Sequence, residues 1–166
     1  MGFQENQISI RNYLIAGDLG QVAFLHGKIY GEEHGFPIGF EAYVMKSLVE
    51  FYHDYNPELD RVWVVESGGR MVGFLLLMHR SNNQAQLRYF ILEKEFRGLG
   101  LGKKLMQEWM DFFNEKHYQE AYLYTTSGLD PAVSLYERNG FVRISEEMTE
   151  NFGFPMLEVL YRLNSK

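Results

Sequence analysis

Ten consecutive residues, Phe96-Arg97-Gly98-Leu99-Gly100-Leu101-Gly102-Lys103-Lys104-Leu105, carry the clearest chemistry in this chain. They follow an apolar run from Leu87 to Leu92 and open an amphipathic stretch. Glycines let a backbone turn tightly and approach a ligand with no Cβ in the way. The first N–H groups of a helix have no internal partner, and the helix dipole adds partial positive charge there. A strand, a glycine loop and a helix start therefore make a cradle for a pyrophosphate. The spacing Gly98-x-Gly100-x-Gly102 departs from the G-x-G-x-x-G of dinucleotide-binding folds. The strand Tyr122 to Thr126 also lacks the acidic residue that such folds place against a ribose. Gly102-Lys103-Lys104 does not complete a Walker loop. The remaining alternative is a tight strand-to-helix turn that binds nothing, with Arg97 and Lys103 as solvated helix-end cations.

A second segment, Ser134-Leu135-Tyr136-Glu137-Arg138-Asn139-Gly140-Phe141, lies some thirty residues on. Arg97 to Gly102 resembles the Arg/Gln-x-x-Gly-x-Gly/Ala signature of the GNAT family of N-acetyltransferases. The second segment is similar to the L-Y-x-x-x-G-F stretch of the same family. Two motifs in order and at this separation are far more specific than either alone. The segment Ala16-Gly17-Asp18-Leu19-Gly20, with His26-Gly27, Glu33, Gly35-Phe36 and Phe40 to Val44, resembles one branch in particular: acetyltransferase domains often fused behind a MarR-type helix-turn-helix.

The resemblance implies acetyl-CoA as cosubstrate and a primary amine, of a small molecule or a peptide, as acceptor. It implies that Arg97, Gly98, Leu99, Gly100, Leu101, Gly102 and Lys103 hold the pyrophosphate, mainly through main-chain N–H groups. It further implies that Phe90, Ile91 and Leu92 splay from the neighbouring strand, offering backbone groups to the pantetheine arm and to the developing oxyanion. Tyr136 takes the position of the general acid for the departing sulfur; a phenol is protonated at neutral pH and can donate. Tyr30, Phe36, Phe40 and Tyr43 fall in the region that caps the acceptor site in the family, or are ordinary core.

The general base is harder to place. Ala121 to Thr125 has no glutamate, and the preceding strand carries Glu93 only at its exit. The family's asparagine seven residues before the tyrosine is replaced by Leu129, with Asp130 beside it. Glu93, acting through water, is the candidate base; the Glu32-Glu33-His34 cluster is the second source, or a solvated helix end. These departures leave a non-catalytic acyl-CoA-binding module as the rival function. The histidines at 26, 34, 53, 79 and 117 show no metal-ligand spacing, so no metal is expected.

Composition narrows the setting. The 166 residues suit one domain, 1–166, and at 46% hydrophobic and 16% aromatic they can bury a sizeable core. With no cysteine there is no disulfide and no thiolate chemistry. A net charge of −6 disfavours nucleic acid as a partner. Met1 to Arg11 is polar, with no apolar core of a signal peptide, and no run is long enough to span a bilayer. The expectation is a cytoplasmic protein without membrane association.

Periodicity and breakers give the elements that must position these groups. Strands are expected at Ile8–Arg11, Val62–Val65, Met71–Met78, Gln84–Leu92, Ala121–Thr125, Phe141–Glu147 and Met156–Leu163. Asp18 should cap a first helix through Ile29, broken by Gly35 and Pro37, and Phe40–Tyr55 gives a second. Leu101–Lys116 is a long amphipathic helix. Asp130-Pro131 should cap the last helix, which stops at Asn139-Gly140. The order β-α-α-β-β-β-α-β-α-β-β predicts an α/β (α+β) fold, with a mixed, mostly antiparallel sheet and helices on both faces. An open sheet edge at Met156–Leu163 could supply a homodimer interface.

Overall fold

Eight consecutive residues of strand β3 (Arg70–Arg80), Met71 to Met78, are buried. A strand covered on both faces needs no polar alternation, which is why this run reads as continuously apolar. In the computed structural model, which describes residues 7–166 except the side chain of Asp130, this strand lies within a seven-stranded sheet. Its partners are β1 (Ile8–Arg11), β2 (Arg61–Ser67), β4 (Gln84–Leu92), β5 (Glu120–Thr126), β6 (Val142–Thr149) and β7 (Met156–Asn164), in the order β1-β2-β3-β4-β5-β7-β6. Every pairing is antiparallel except β4–β5. The sheet is thus mixed and mostly antiparallel, with helices on both faces, as the element order predicts. Residues 1–6 of the polar N-terminal stretch lie outside the described residues, as does the capping role expected of the Asp130 side chain.

Two apolar cores face each other across the sheet. On one side α3 (Leu101–Glu115) sets Leu105, Trp109, Phe112 and Phe113 against Trp63, Leu75, Leu87 and Leu123, and α4 (Asp130–Arg138) adds Tyr136. On the other side α1 (Asp18–His34) and α2 (Ile38–His53) bury Val22, Leu25, Leu48 and Phe51 against Val64, Phe74 and Leu76. Each fully buried side chain of this size contributes roughly 1.5–3 kcal/mol, so each core holds its helices firmly.

Three expectations are corrected. Strand β7 is not an edge: it pairs with β5 on one side and β6 on the other. The edge is β6, whose first seven residues are exposed. The buried Val159, Tyr161 and Leu163 explain the inner place of β7. Asp18 does not cap its helix; Gly17 holds the N-cap position at φ 98°. The Asp18 carboxylate instead accepts from both Arg11 Nη atoms at 2.7 Å and from the Ile15 N–H at 2.7 Å, tying β1 to α1. The last helix begins at Asp130 itself, with Leu129 at its N-cap.

Candidate active site

The site begins with an extra residue in β4. Phe74 pairs with Ile91 and Leu76 with Arg88, so two steps on β3 oppose three on β4. This is a bulge, and Tyr89 absorbs it at φ 55°, a left-handed conformation that a bulky residue rarely adopts. The surroundings hold it there: the Tyr89 hydroxyl lies 2.6 Å from Ser47 Oγ, which itself donates to the Val44 carbonyl at 2.9 Å. On the other edge of β4, pairing with β5 stops at Gln86–Tyr122. Beyond that point the two parallel strands part, and Tyr89 and Phe90 have no registered partner on either neighbour. The expected splay is therefore present, and the bulge sets where it starts.

A cavity of about 450 Å³ fills the fork. Its lining comes from both cores. His26, Tyr30, Phe40 and Phe152 belong to the α1/α2 side, and Phe90, Leu135 and Tyr136 to the α3/α4 side. The cavity therefore passes through the plane of the sheet. Such a passage is open to groups approaching from either face of the sheet.

Of the residues singled out from the sequence, Phe90, Ile91, Leu92, Arg97, Gly98, Gly102 and Tyr136 line the cavity. Leu99 and Gly100 of the loop, and Leu101 and Lys103 in the first turn of α3, stand outside the lining. Gly98 and Gly100 have φ of 75° and 82°, which only glycine adopts freely, and Gly100 is the N-cap of α3. Gly102 serves close approach: a Cβ there would lie 3.1 Å from Leu135 Cδ1 of α4.

The side chain of Arg97 has two protein partners. Its Nε donates to the Leu92 carbonyl at 2.9 Å, and its Nη1 donates to Glu33 Oε2 at 2.8 Å. It braces the loop against β4 and against α1 across the mouth of the cavity. Glu93 stands apart from the lining. Its carboxylate is buried and held by Arg70 Nη1 at 2.5 Å. An ion-paired carboxylate outside the lining makes no direct contact with the space an amine would occupy. From the second acidic cluster, Glu33 and His34 reach the lining.

Tyr136 is buried, with its ring 6.3 Å from that of Phe90. Burial, with the Tyr30 phenol nearby, pushes its pKa well above the ordinary value. Tyr30 is itself pushed up to about 12 by burial. Both phenols are protonated at any working pH. His26 lies 5.9 Å from Tyr30 and 5.7 Å from Tyr89, ring to ring. Burial lowers it to about 4, so its Nδ1 is an N–H donating to the Val22 carbonyl at 2.7 Å.

Sequence reasoning missed the residues that reach the fork from distant strands: Arg88, Thr126 and Glu158. No local motif marks them, because only the bulge and the β5–β7 pairing bring them together. Among the described residues no group of three or more His, Cys, Asp or Glu side chains is placed to hold a metal ion, and no helix is long and apolar enough to cross a membrane.

The family model described as the Acetyltransferase (GNAT) family matches residues 28–141, more than half of the chain. An uncharacterized N-acetyltransferase of Escherichia coli, YjgM, is 34% identical over 101 residues, which are 59% of this chain and 60% of that protein. An N-acetylaspartate synthetase of Danio rerio is 32% identical over 69% of this chain and 37% of its own length. The matched segment thus spans less than two thirds of either relative. An acetyltransferase structure from Streptococcus agalactiae superposes with a TM-score of 0.78 at 21% identity, covering 96% of this chain and 99% of that one. A GNAT family acetyltransferase structure from Elizabethkingia anophelis, with acetyl-CoA bound, gives 0.63 at 11% identity over 97% and 100%.

Proposed function

Since the chain belongs to the GNAT family of acetyltransferases, we propose that it moves the acetyl group of acetyl-CoA onto a primary amine of a small molecule or peptide. The observation that carries this reading is the β4/β5 fork, which opens through the sheet beside the Gly98–Gly102 loop with Tyr136 in its wall. The N-acetyl transfer named for the relatives supports nitrogen as the acceptor. The narrower kinship with domains fused behind MarR-type regulators rests on the residue pattern of α1 and α2.

In this reading the N–H groups from Gly98 to Lys103 hold the diphosphate at the start of α3, with the α3 dipole behind them. The pantetheine arm lies along the open edge of β4. The neutral amine attacks the thioester carbonyl carbon, a C–N bond forms, and the oxyanion is met by a free N–H of the bulge. The C–S bond then breaks and its electron pair stays on sulfur. Tyr136 donates to that thiolate, while the ammonium proton leaves through water. A phenol pushed up this far gives a strong hydrogen bond to sulfur more readily than it surrenders its proton, so solvent completes the protonation.

The placement of Glu93 outside the fork favours one alternative, an acyl-CoA-binding module without turnover. Release of free CoA across a panel of polyamines, amino acids and peptides separates the two. Amine-dependent release supports transfer; acetyl-CoA binding with no release from any acceptor supports the module.

A further inference from the structure

Three polar side chains share the α1/α2 face of the fork. On β4, Leu87 points into the α3 core, so Arg88 points the other way, and it lines the cavity. On β7, Val159 and Tyr161 belong to the α3 core, which leaves Glu158 on the opposite face. Thr126 of β5 is the registered partner of Glu158 and shares its face.

Each of them lacks something that a ligand would supply. Arg88 forms no ion pair and no hydrogen bond among the described residues, in contrast to Arg97 and Arg70, which hold Glu33 and Glu93. The Arg88 guanidinium carbon instead lies over the ring of Tyr89, 4.8 Å from its centroid, and the Tyr89 hydroxyl is fixed by Ser47. A guanidinium carries a planar fork of donors that binds a carboxylate through two parallel hydrogen bonds. Thr126 is 8% exposed, and its Oγ1 is the one buried side-chain polar atom among the described residues with no hydrogen-bond partner. An orphaned buried hydroxyl is destabilising, and a ligand group restores its bond. Glu158 is half-buried and faces Glu147 across the β6–β7 ladder. Burial and Glu147 raise its pKa and Arg88 lowers it, so a cation beside it relieves a repulsion.

We propose that the acceptor is an amino acid: its carboxylate is bound by Arg88, and its ammonium group is received by Glu158 and the Thr126 hydroxyl, losing a proton to water before the neutral amine attacks through the opening toward Tyr136. This rests on the acetyl-transfer reading above and names its acceptor class. A polyamine would bring positive charge against Arg88, and an apolar amine would leave both Arg88 and Thr126 unmatched.

The test pairs the standard L-amino acids with their α-carboxamides in two measurements: CoA release from acetyl-CoA, and calorimetric titration into protein saturated with CoA. At least one amino acid should bind the CoA complex and be acetylated with a KM at least about ten-fold below that of its amide. Arg88→Gln should erase that preference in a protein that still unfolds cooperatively and still binds acetyl-CoA. Arg88→Lys should retain part of it, and Thr126→Val should weaken amino-acid binding. Equal use of acids and amides overturns the proposal and leaves acetyl transfer standing. Arg88-dependent binding without CoA release supports the carboxylate subsite and overturns transfer. Failure of every amino acid to bind the CoA complex overturns the proposal.

Discussion

Protonating His26 should unfold this protein more effectively than any single surface titration. The imidazole is 5% exposed, its Nδ1–H is used by the Val22 carbonyl, and the Arg88 charge disfavours a second proton. Its pKa falls from 6.5 to about 4 on folding. The unfolded chain therefore binds the extra proton more tightly, and stability is complete above pH 6.5 and lost as pH falls toward 4. Linkage gives a loss of about 2 kcal/mol by pH 5 and about 3 kcal/mol by pH 4, a large share of an ordinary folding free energy. Urea unfolding from pH 7 to pH 4 should be followed for the wild type and for His26→Gln. Asp60 and Glu158, whose pKa values are raised by burial, act in the opposite sense and are present in both proteins. Subtracting the two curves isolates the imidazole. Parallel curves would refute the reasoning, because they would mean that His26 accepts its proton as easily when folded as when unfolded.

Four other perturbations follow from the same geometry. Tyr136→Phe should lower kcat by roughly ten- to a thousand-fold with little change in acetyl-CoA affinity, read by steady-state kinetics. Gly100→Ala should cost about 1–2 kcal/mol in urea unfolding, since a Cβ at φ 82° meets the next carbonyl, and should weaken acetyl-CoA binding in parallel. Asp18→Ala should destabilise by about 1–3 kcal/mol, because it leaves Arg11 with only Glu66 and the Tyr13 carbonyl and removes the acceptor of the Ile15 N–H. A double-mutant cycle on Glu33 and Arg97 should give a coupling below about 1 kcal/mol in the free protein, since both side chains are partly solvated at 27% and 40% exposure.

The sequence announced what depends on local chemistry. Gly98 and Gly100 hold left-handed backbone and Gly102 lies close to Leu135, so glycine is favoured at all three and their spacing could be read directly. Gly35 ends α1 in the left-handed conformation, and Asn139-Gly140 ends α4, as their types imply. Contacts made over long chain separations were not readable. Nothing at Tyr89 signals a left-handed bulge, and its hydroxyl is held by Ser47, 42 residues away. Glu93 sits at the strand exit as expected, but which way its carboxylate turns is decided by Arg70, 23 residues away. The two final strands were visible, while the choice of which one docks on β5 follows from three buried side chains in a segment that reads as an ordinary edge. Arg88, Thr126 and Glu158 form a group only after three strands have paired.

The account stands or falls on whether the main chain from Arg97 to Lys103 grips coenzyme A. Titrating acetyl-CoA into the folded protein in a calorimeter should give saturable one-to-one binding, and the same titration of Gly100→Ala should give weaker binding. Absence of heat and of any thermal stabilisation from a cooperatively folded sample would contradict it.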